Sequence, residues 1–395
     1  MTPAELLQAL LDSRVQLPPT QAKNSALPTR IRVLRALRTR EYSVSEVAEQ
    51  LHITRQTAYQ AIKPSQEAGL VREVDAGYTL SCSGAALLDV YDRFEDQVIA
   101  DSLSRLSRSE HQRWILRALR EQPERKATLA TRAVAEDGPS RTTIHRIIYA
   151  LRDCGYVTEA RGSCELTDTG RLLLEAYEEL RITAEQAIEK RAFLRWLPAE
   201  IEGFPVIALA EATVIHNTPD QPHNVLNTFM SAADLGLETF CGMATIMSPA
   251  LNQAHQPILT GETTVTLVFT ENVLGQLHQD PEFVDYVASA DYGSYLEDGV
   301  APQNVNISFV RESPPLHIGI YDNERVIMAP ASSTDVPEIE TAAVCSTDSR
   351  LVDWAIQCFK KSQVTGRPPL QVFRDQIREQ KSSSDPAFEH ASAHE

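Results

Sequence analysis

The sequence predicts an α+β multidomain protein in which two tandem winged helix-turn-helix domains precede an α/β C-terminal domain. Three observations lead to this prediction. A pattern of short amphipathic helices followed by a hairpin occurs twice in the N-terminal half. Beyond residue 198, runs of β-branched residues alternate with helical patterns, which is typical of an α/β domain. The net charge of −17 is concentrated in that last region.

The repeat is collinear along the chain. Arg32–Arg38 (RVLRALR) recurs as Trp114–Arg120 (WILRALR), an offset of 82 residues. Thr54–Thr57 recurs as Ser140–Thr143, an offset of 86, so four extra residues precede the third helix of the second copy. Two copies in the same order and nearly the same register predict a duplicated domain.

The third helix of the second copy is predicted to be amphipathic, with a polar outer face. Ile144, Ile147, Ile148 and Leu151 recur at helical spacing. Ser140 stands where an N-cap belongs, and a hairpin around Gly162 follows the helix. The polar residues left outward are of the kinds that a recognition helix inserts into the major groove of DNA. The predicted DNA contacts of this copy are Ser140, Arg141, Thr142, Thr143, His145, Arg146 and, on the wing, Arg161.

The first copy has helices predicted at 28–40, 44–51 and 54–63, with a wing around Ala76 and Gly77. Its Pro64 stands where the second copy has Ala150, and a proline inside a helix removes one hydrogen-bond donor. We therefore expect this helix to end early or kink, which leaves open whether the first copy contacts DNA. The corresponding outward residues are Thr54, Arg55, Gln56, Thr57, Tyr59, Gln60 and Lys63.

Three further helices have apolar stripes that need a partner. Residues 3–11 predict a helix that packs on the first winged domain or on a partner subunit. Residues 84–108 predict a connecting helix with a stripe of Leu87, Leu88, Tyr91 and Phe94. Residues 167–197 predict an exit helix that pairs with its mate in a dimer or packs against the third domain. We expect a homodimer.

The region after residue 198 predicts four strands and a closing helix. The strands cover 263–269, 305–310, 316–321 and 325–329, and the helix covers 349–361. The expected segments are 1–27 (N-terminal helix and link), 28–108 (first winged domain with connecting helix), 109–195 (second winged domain with exit helix), 196–366 (acidic α/β domain) and 367–395 (polar tail).

The segments differ in net charge, and the charge of each one limits the partners that it can bind. Residues 30–75 have eight basic and six acidic side chains, and residues 110–161 have ten and seven. Residues 196–366 have five basic and 22 acidic side chains, so this region is excluded as a polyanion-binding surface. Acidic residues with few lysines are typical of proteins from molar salt, where the Debye length falls to about 3 Å. An ordinary acidic domain is the alternative.

The sequence contains no apolar run of the roughly 18 residues that a bilayer span needs, and no signal peptide, so we expect a cytoplasmic protein. The cysteines lack the spacing of metal ligands and predict buried free thiols. They are Cys82, Cys154, Cys164, Cys241, Cys345 and Cys358. We predict no metal and no cofactor.

Five stretches of the chain resemble archaeal winged-helix regulators that carry the methanogenesis-regulator (FilR-type) middle domain and are abundant in haloarchaea. The stretches are Phe193–Pro198, Ala212–Pro219, Leu267–Leu274, Pro315–Tyr321 and Ser346–Ala355. The resemblance implies a sensor domain for a ligand or partner, similar in fold to phospholipase-D-like domains. The additional N-terminal winged domain departs from the single-headed pattern of that family.

We predict a DNA-binding transcriptional regulator whose partners are double-stranded DNA, a second subunit and a small-molecule effector. The alternative is a protein–protein interaction module without direct DNA binding. An enzyme is not expected, because a phospholipase-D-type site needs a His and a Lys two residues apart. His317 is followed by Ile318 and Gly319, so no catalytic residue is predicted.

Overall fold

The protein is mixed α+β and divides into two compact units, Met1–Ile207 and Ala208–Glu395. A computed structural model describes residues 2–11, 28–95, 100–136, 138–199, 201, 203–232, 236–245, 258, 262–273, 304–312, 315–331, 342–368, 371–372 and 375. The predicted link around Pro18 and most of the predicted polar tail lie outside these residues. The five predicted segment boundaries remain predictions.

The N-terminal unit is helical, with two small hairpins. Its helices are α1 Pro3–Leu11, α2 Thr29–Thr39, α3 Val44–Leu51, α4 Arg55–Glu67, α5 Cys82–Glu95, α6 Ala100–Arg108, α7 Glu110–Glu121, α8 Lys126–Ala135, α9 Arg141–Asp153, α10 Asp168–Glu189 and α11 Arg191–Leu194. A 3-10 helix at Val206–Leu209 includes the last residues of this unit and the first of the next. The antiparallel hairpins pair β1 Val71–Val74 with β2 Gly77–Leu80, and β3 Val157–Ala160 with β4 Ser163–Leu166. We call α2 to α5 the first copy and α7 to α10 the second copy.

The two copies share hydrogen bonds at equivalent atoms. Thr54 caps α4 by accepting the Thr57 backbone N–H at 3.1 Å, and Ser140 caps α9 by accepting that of Thr143 at 3.3 Å. The Ser81 hydroxyl donates to the Gly69 carbonyl at 2.7 Å. In the second copy, the Thr167 hydroxyl donates to the Gly155 carbonyl at the same distance of 2.7 Å. The duplication therefore extends to the details of helix capping.

The prediction that α4 ends early at Pro64 is wrong. The helix continues to Glu67 and has 13 residues, the same length as α9. Ser65, which follows the proline, is 2% exposed and donates its hydroxyl to the Ala61 carbonyl at 2.9 Å. Burial of this face of the helix outweighs the cost of an interior proline, which is about 3 kcal/mol.

One hydrophobic core runs through α1 and both copies. The apolar stripe of α5 is buried, and the partner against which α5 packs is α10 of the same chain. The leucines of α1 are also buried, where α1 packs on α2, α6 and α10. Helix α10, the predicted exit helix, packs on α1, α5 and α6 of the same unit, which is neither of the two partners predicted for it, a mate in a dimer or the third domain. The predicted connecting helix corresponds to α5 and α6, with residues 96–99 outside the described part.

The C-terminal unit contains a seven-stranded sheet in the order β5-β11-β10-β9-β6-β7-β8. Strands β6, β7 and β8 are parallel neighbours, and the other pairs are antiparallel. The bounds are β5 Thr213–His216, α12 Asn224–Ala232, β6 Thr239–Ala244, β7 Thr264–Thr270, β8 Val305–Val310, β9 Leu316–Tyr321, β10 Arg325–Pro330, β11 Ala342–Ser346 and α13 Ser349–Thr365. The four predicted strands and the closing helix are confirmed, whereas β5, β6 and β11 were not predicted.

The cysteines differ in burial. Cys82 and Cys164 are buried as predicted, and burial raises the pKa of the Cys82 thiol to about 12. Cys154 is exposed, because it follows the last buried position of α9, and Cys241, Cys345 and Cys358 are only partly buried. The prediction of buried thiols is therefore confirmed for two of the six cysteines. None of the helices in the described part of the chain has the length and apolar character that a bilayer span requires.

Candidate nucleic-acid interface

Helix α9 presents the polar face that the sequence predicts. Ile144, Ile147, Ile148 and Leu151 are its buried residues. Opposite them, Arg141, Thr142 and Arg146 are exposed, and Thr143 and His145 are partly buried. The same helix therefore separates an apolar inner face from a surface of hydrogen-bond donors.

The hydroxyls at the start of α9 are engaged within the protein. Ser140 Oγ lies 2.9 Å from Thr143 Oγ1 and also accepts the Thr143 backbone N–H. The first copy repeats this arrangement, with 2.8 Å between Thr54 Oγ1 and Thr57 Oγ1. These four residues define where each helix begins, so their first role is structural.

The arginines of the second copy are available to an external partner. Among the described residues, Arg141, Arg146 and Arg161 have no hydrogen-bond or ion-pair partner, and all three are exposed. Arg161 lies at the tip of the β3–β4 hairpin with a left-handed backbone (φ 54°), followed by Gly162 (φ 77°). A type I′ turn needs such angles at both central residues. The turn therefore places a cation at the outermost point of the hairpin.

A cluster formed by α9 and its neighbours α8 and β3 was not predicted from the sequence. Tyr149 is 46% exposed, with Lys126 Nζ 4.7 Å and Arg152 Cζ 4.9 Å from its ring centroid. Glu159 lies between the two cations, with its carboxylate 2.7 Å from Lys126 Nζ and 3.7 Å from Arg152 Nη1. The hydrogen bond between them raises the pKa of Lys126 and lowers that of Glu159. The spacing of Tyr149 four residues after His145 and three before Arg152 could have identified the part of the cluster on α9, but Lys126 and Glu159 come from α8 and β3.

The first copy presents a different set of outward residues. Arg55, Gln56, Tyr59 and Gln60 are exposed, and Lys63 is partly buried and donates to Gln66 Oε1 at 3.2 Å. At the offset of 86 residues, Tyr59 corresponds to His145, and Gln60 corresponds to Arg146. The predicted site residues therefore form two sets. One lies on the first copy, and the other lies on the second copy.

Two domain families match this chain. Residues 22–102 and 100–188 each match the HVO_A0261 N-terminal domain. Residues 219–363 match the middle domain of the methanogenesis regulatory protein FilR1. The chain therefore combines two matches to the HVO_A0261 N-terminal domain with one match to the FilR1 middle domain. The resemblance stated from the sequence is confirmed, including the duplication at the N-terminus.

Solved structures are similar only at a low level. TrmBL2, described as an archaeal chromatin protein with a novel mode of DNA binding, is 13% identical with a TM-score of 0.31, covering 58% of this chain and 83% of its own. NucT from Helicobacter pylori is 11% identical with a TM-score of 0.30, covering 40% and 99%. The phospholipase D family member Nuc from Salmonella typhimurium is 16% identical with a TM-score of 0.29, covering 40% and 98%. At these scores the likeness carries no conclusion about function. The comparison with curated proteins gives no match.

Within the FilR1 middle domain, His317 lies on β9. The Thr245 backbone N–H donates to its Nδ1 at 3.3 Å, and burial lowers the pKa of His317 to about 4. His216 and His223 are exposed, and His255 lies outside the described residues. In the described part of the chain, no group of His, Cys, Asp and Glu side chains is placed to hold a metal ion.

Proposed function

We propose that this chain is a DNA-binding transcriptional regulator. In this proposal each HVO_A0261 N-terminal domain is a winged helix-turn-helix domain, and the FilR1 middle domain senses a ligand or partner. The observation that carries it is the outer face of α9, where Arg141 and Arg146 are exposed and have no described partner. An arginine in that state can form two hydrogen bonds with a guanine edge or bind phosphate.

The order of the elements supports the same proposal. Helix α9 follows α8 after a short connection and precedes the β3–β4 hairpin, so it occupies the position of a recognition helix. Arg161 at the hairpin tip extends the same positive character to the wing. Base edges would then be read by α9, while the wing holds the sugar-phosphate backbone.

The cluster around Tyr149 supports a defined surface beside α9. Its two cations are held in place by Glu159 and by the aromatic ring, so little side-chain entropy remains to be lost when they meet a phosphate. Glu159 offsets part of their charge, which limits non-specific binding. In molar salt, where long-range attraction is screened within about 3 Å, such short-range fit has to supply more of the affinity.

The alternative is a protein-interaction module that binds no DNA. The exposed rings of Tyr59 and Tyr149, each 46% exposed, favour it, because tyrosines are enriched in protein interfaces. The arginines of α9 favour DNA instead. A homodimer would bring four winged domains to one duplex and remains a prediction, as does the cytoplasmic location that this function requires.

We infer no enzymatic function for the FilR1 middle domain. His317 is partly buried and accepts a backbone hydrogen bond at Nδ1, which leaves the ring proton on Nε2, the nitrogen that would have to attack a substrate. The acidic character of residues 196–366, with five basic and 22 acidic side chains, also disfavours a phosphodiester substrate.

The experiment is to recover bound DNA from cells by crosslinking and then measure affinity for a recovered duplex at the salt of the host. We expect Arg141→Ala and Arg146→Ala each to weaken binding about tenfold or more, because one bidentate arginine–guanine contact is worth about 1–3 kcal/mol. Arg325→Ala, which removes an exposed arginine from β10, is the matched control and should bind as the unmodified chain does.

Two outcomes would contradict the proposal in different ways. Unchanged affinity in both α9 variants shows that the second copy is not the reader. A chain that enriches no duplex from cells or from a random pool, at any salt concentration, is not a DNA-binding regulator, and the interaction module becomes the better hypothesis.

A further inference from the structure

We propose that a single chain reads an asymmetric duplex site, because its two copies are related by an internal pseudo-twofold axis and carry different outward residues. Each copy then reads one half-site, and the two half-sites differ in sequence. This inference rests on the proposed DNA-binding function. It concerns which duplex is bound and how many chains bind it.

The position of the axis follows from one ion pair. Arg93 of α5 and Glu179 of α10 are equivalent positions, 86 residues apart, and they lie 2.5 Å from each other across the helix pair. In an interface with twofold symmetry, equivalent residues meet only where the axis passes. The α5–α10 contact therefore corresponds to the centre of an isologous dimer, formed within one chain.

Contacts away from the axis occur in reciprocal pairs. Arg105, which follows the first copy, donates to Cys154 Sγ at the end of α9 at 3.7 Å. Arg191, which is 86 residues later and follows the second copy, donates to the Glu67 carbonyl at the end of α4 at 2.6 Å. Each arginine thus reaches the C-terminal end of the third helix of the opposite copy. Such an exchange of contacts is what a twofold relation requires.

Each copy also docks its first helix on its long helix in the same way. Arg35 of α2 pairs with Asp92 of α5 at 2.5 Å. Arg117 of α7 pairs with Glu178 of α10 at 2.6 Å. These pairs correspond at the two offsets of 82 and 86. Because the internal geometry of the copies matches, α4 and α9 are placed equivalently with respect to the axis.

The outward residues do not follow this symmetry. Arg55 and Arg141 are the same at equivalent positions, but Gln60 of α4 corresponds to Arg146 of α9. Glutamine is suited to the N6 and N7 atoms of adenine, and arginine to the O6 and N7 atoms of guanine. At the hairpin tips, Asp75 in the first copy corresponds to Arg161 in the second. The two half-sites should therefore differ, with an adenine preference and weaker backbone contact under the first copy.

This arrangement changes the expected stoichiometry. A regulator with one winged domain per chain needs two chains to match the twofold symmetry of a duplex. Here the two copies belong to one chain and share one hydrophobic core. One chain is sufficient for both half-sites, and a second copy of the chain is not needed to complete the interface.

The test is selection from a random duplex pool with the full chain, followed by native mass spectrometry of the complex with the enriched duplex. We expect two unlike half-sites and one chain per duplex. Gln60→Ala should remove about tenfold base discrimination from one half-site only, and Arg146→Ala from the other only. Arg325→Ala, in the C-terminal unit, serves as the control and should select the same duplex as the unmodified chain.

Three results would overturn the inference while leaving the proposed function intact. They are two identical half-sites occupied by two chains, a Gln60→Ala variant that selects the same sequence as the unmodified chain, and changes by both variants at the same base positions. Enrichment of no sequence by the unmodified chain is a distinct result, which removes the proposed function itself.

Discussion

The two copies have the same skeleton but different surroundings. At the end of α4, Ala68 and Gly69 are buried, whereas Cys154 and Gly155 at the end of α9 are exposed. The segment after α10 makes this difference, since Arg191 reaches the Glu67 carbonyl and the Leu197 carbonyl accepts the Cys82 backbone N–H at 3.1 Å. The two copies therefore share their internal hydrogen bonds and differ at their surfaces.

The largest effect should come from a position that both copies preserve. A Cβ added to Gly84 would lie 2.1 Å from the Leu70 carbonyl oxygen, and one added to Gly170 would lie 2.1 Å from that of Tyr156. Gly→Ala inside a helix ordinarily stabilises by about 1 kcal/mol. Here we expect Gly84→Ala and Gly170→Ala each to destabilise by about 3 kcal/mol, since backbone must move. Urea unfolding of the full chain measures this change.

Both copies should respond to the substituted glycine in the same way. Peptide-resolved hydrogen exchange should show faster exchange around the substituted glycine in either variant. If one variant were stabilised as an ordinary helical alanine would be, the close approach of helix and carbonyl would not be shared by the two copies.

The next prediction separates the copies. Gly69 (φ 79°) and Gly155 (φ 77°) both have left-handed backbones, so alanine costs about 1 kcal/mol at either position. A Cβ at Gly69 would also lie 2.8 Å from Arg191 Cγ, whereas nothing lies within 4 Å of one at Gly155. We expect Gly69→Ala to lower the free energy of unfolding by about 2 kcal/mol and Gly155→Ala by about half as much, because displacing Arg191 weakens a hydrogen bond worth about 1 kcal/mol.

Arg191→Ala provides the control for this pair. In that background the two glycine variants should become equally destabilising, because the neighbour that distinguishes them is gone. If Gly69→Ala and Gly155→Ala destabilised equally when Arg191 is present, the segment after α10 would not distinguish the two copies.

Local pattern predicted much of the fold. The spacing of Ile144, Ile147 and Ile148 and the cap at Ser140 located α9 correctly, since both signals lie within one helix. Strand β6 was missed because its Gly242 interrupts the apolar pattern. That glycine pairs with Gly319 on β9, and the rings of Phe240 and Tyr321 lie on the same face with centroids 5.1 Å apart. The need for glycine beside these two rings can be recognised only when the pairing of β6 with β9 is known.

The candidate site could be predicted only in part, for the same reason. The outward arginines of α9 follow from helical periodicity alone. The cluster of Lys126, Tyr149 and Glu159 joins three elements, and the pairing of Arg93 with Glu179 joins two copies. Neither has a signal in local sequence. Pro64 shows the converse case, in which a local rule was outweighed by tertiary burial of the helix.

The smallest effect concerns the ion pair that each copy uses to dock its first helix. Burial alone would raise the pKa of Glu178, but hydrogen bonds and charge from Arg117 and Arg181 outweigh it and hold that pKa below its usual value. Glu178 is also less exposed than its counterpart Asp92, 16% against 37%. We expect Glu178→Gln to destabilise more than Asp92→Asn, by less than about 1 kcal/mol in each case.

The pH dependence of this effect identifies its origin. A carboxyl group whose folded pKa lies below its unfolded pKa stabilises fully above the unfolded value, about 4.3 for glutamate, and loses that contribution as the pH falls through the folded value. The difference in unfolding free energy between the unmodified chain and Glu178→Gln should therefore be constant at neutral pH and shrink below about pH 4. A difference that stayed the same through the acid range would mean that Glu178 acts through packing and not through its charge. Helix α7 would then be held against α10 by packing, and the ion pair of Arg117 with Glu178 would not be the functional counterpart of the pair of Arg35 with Asp92.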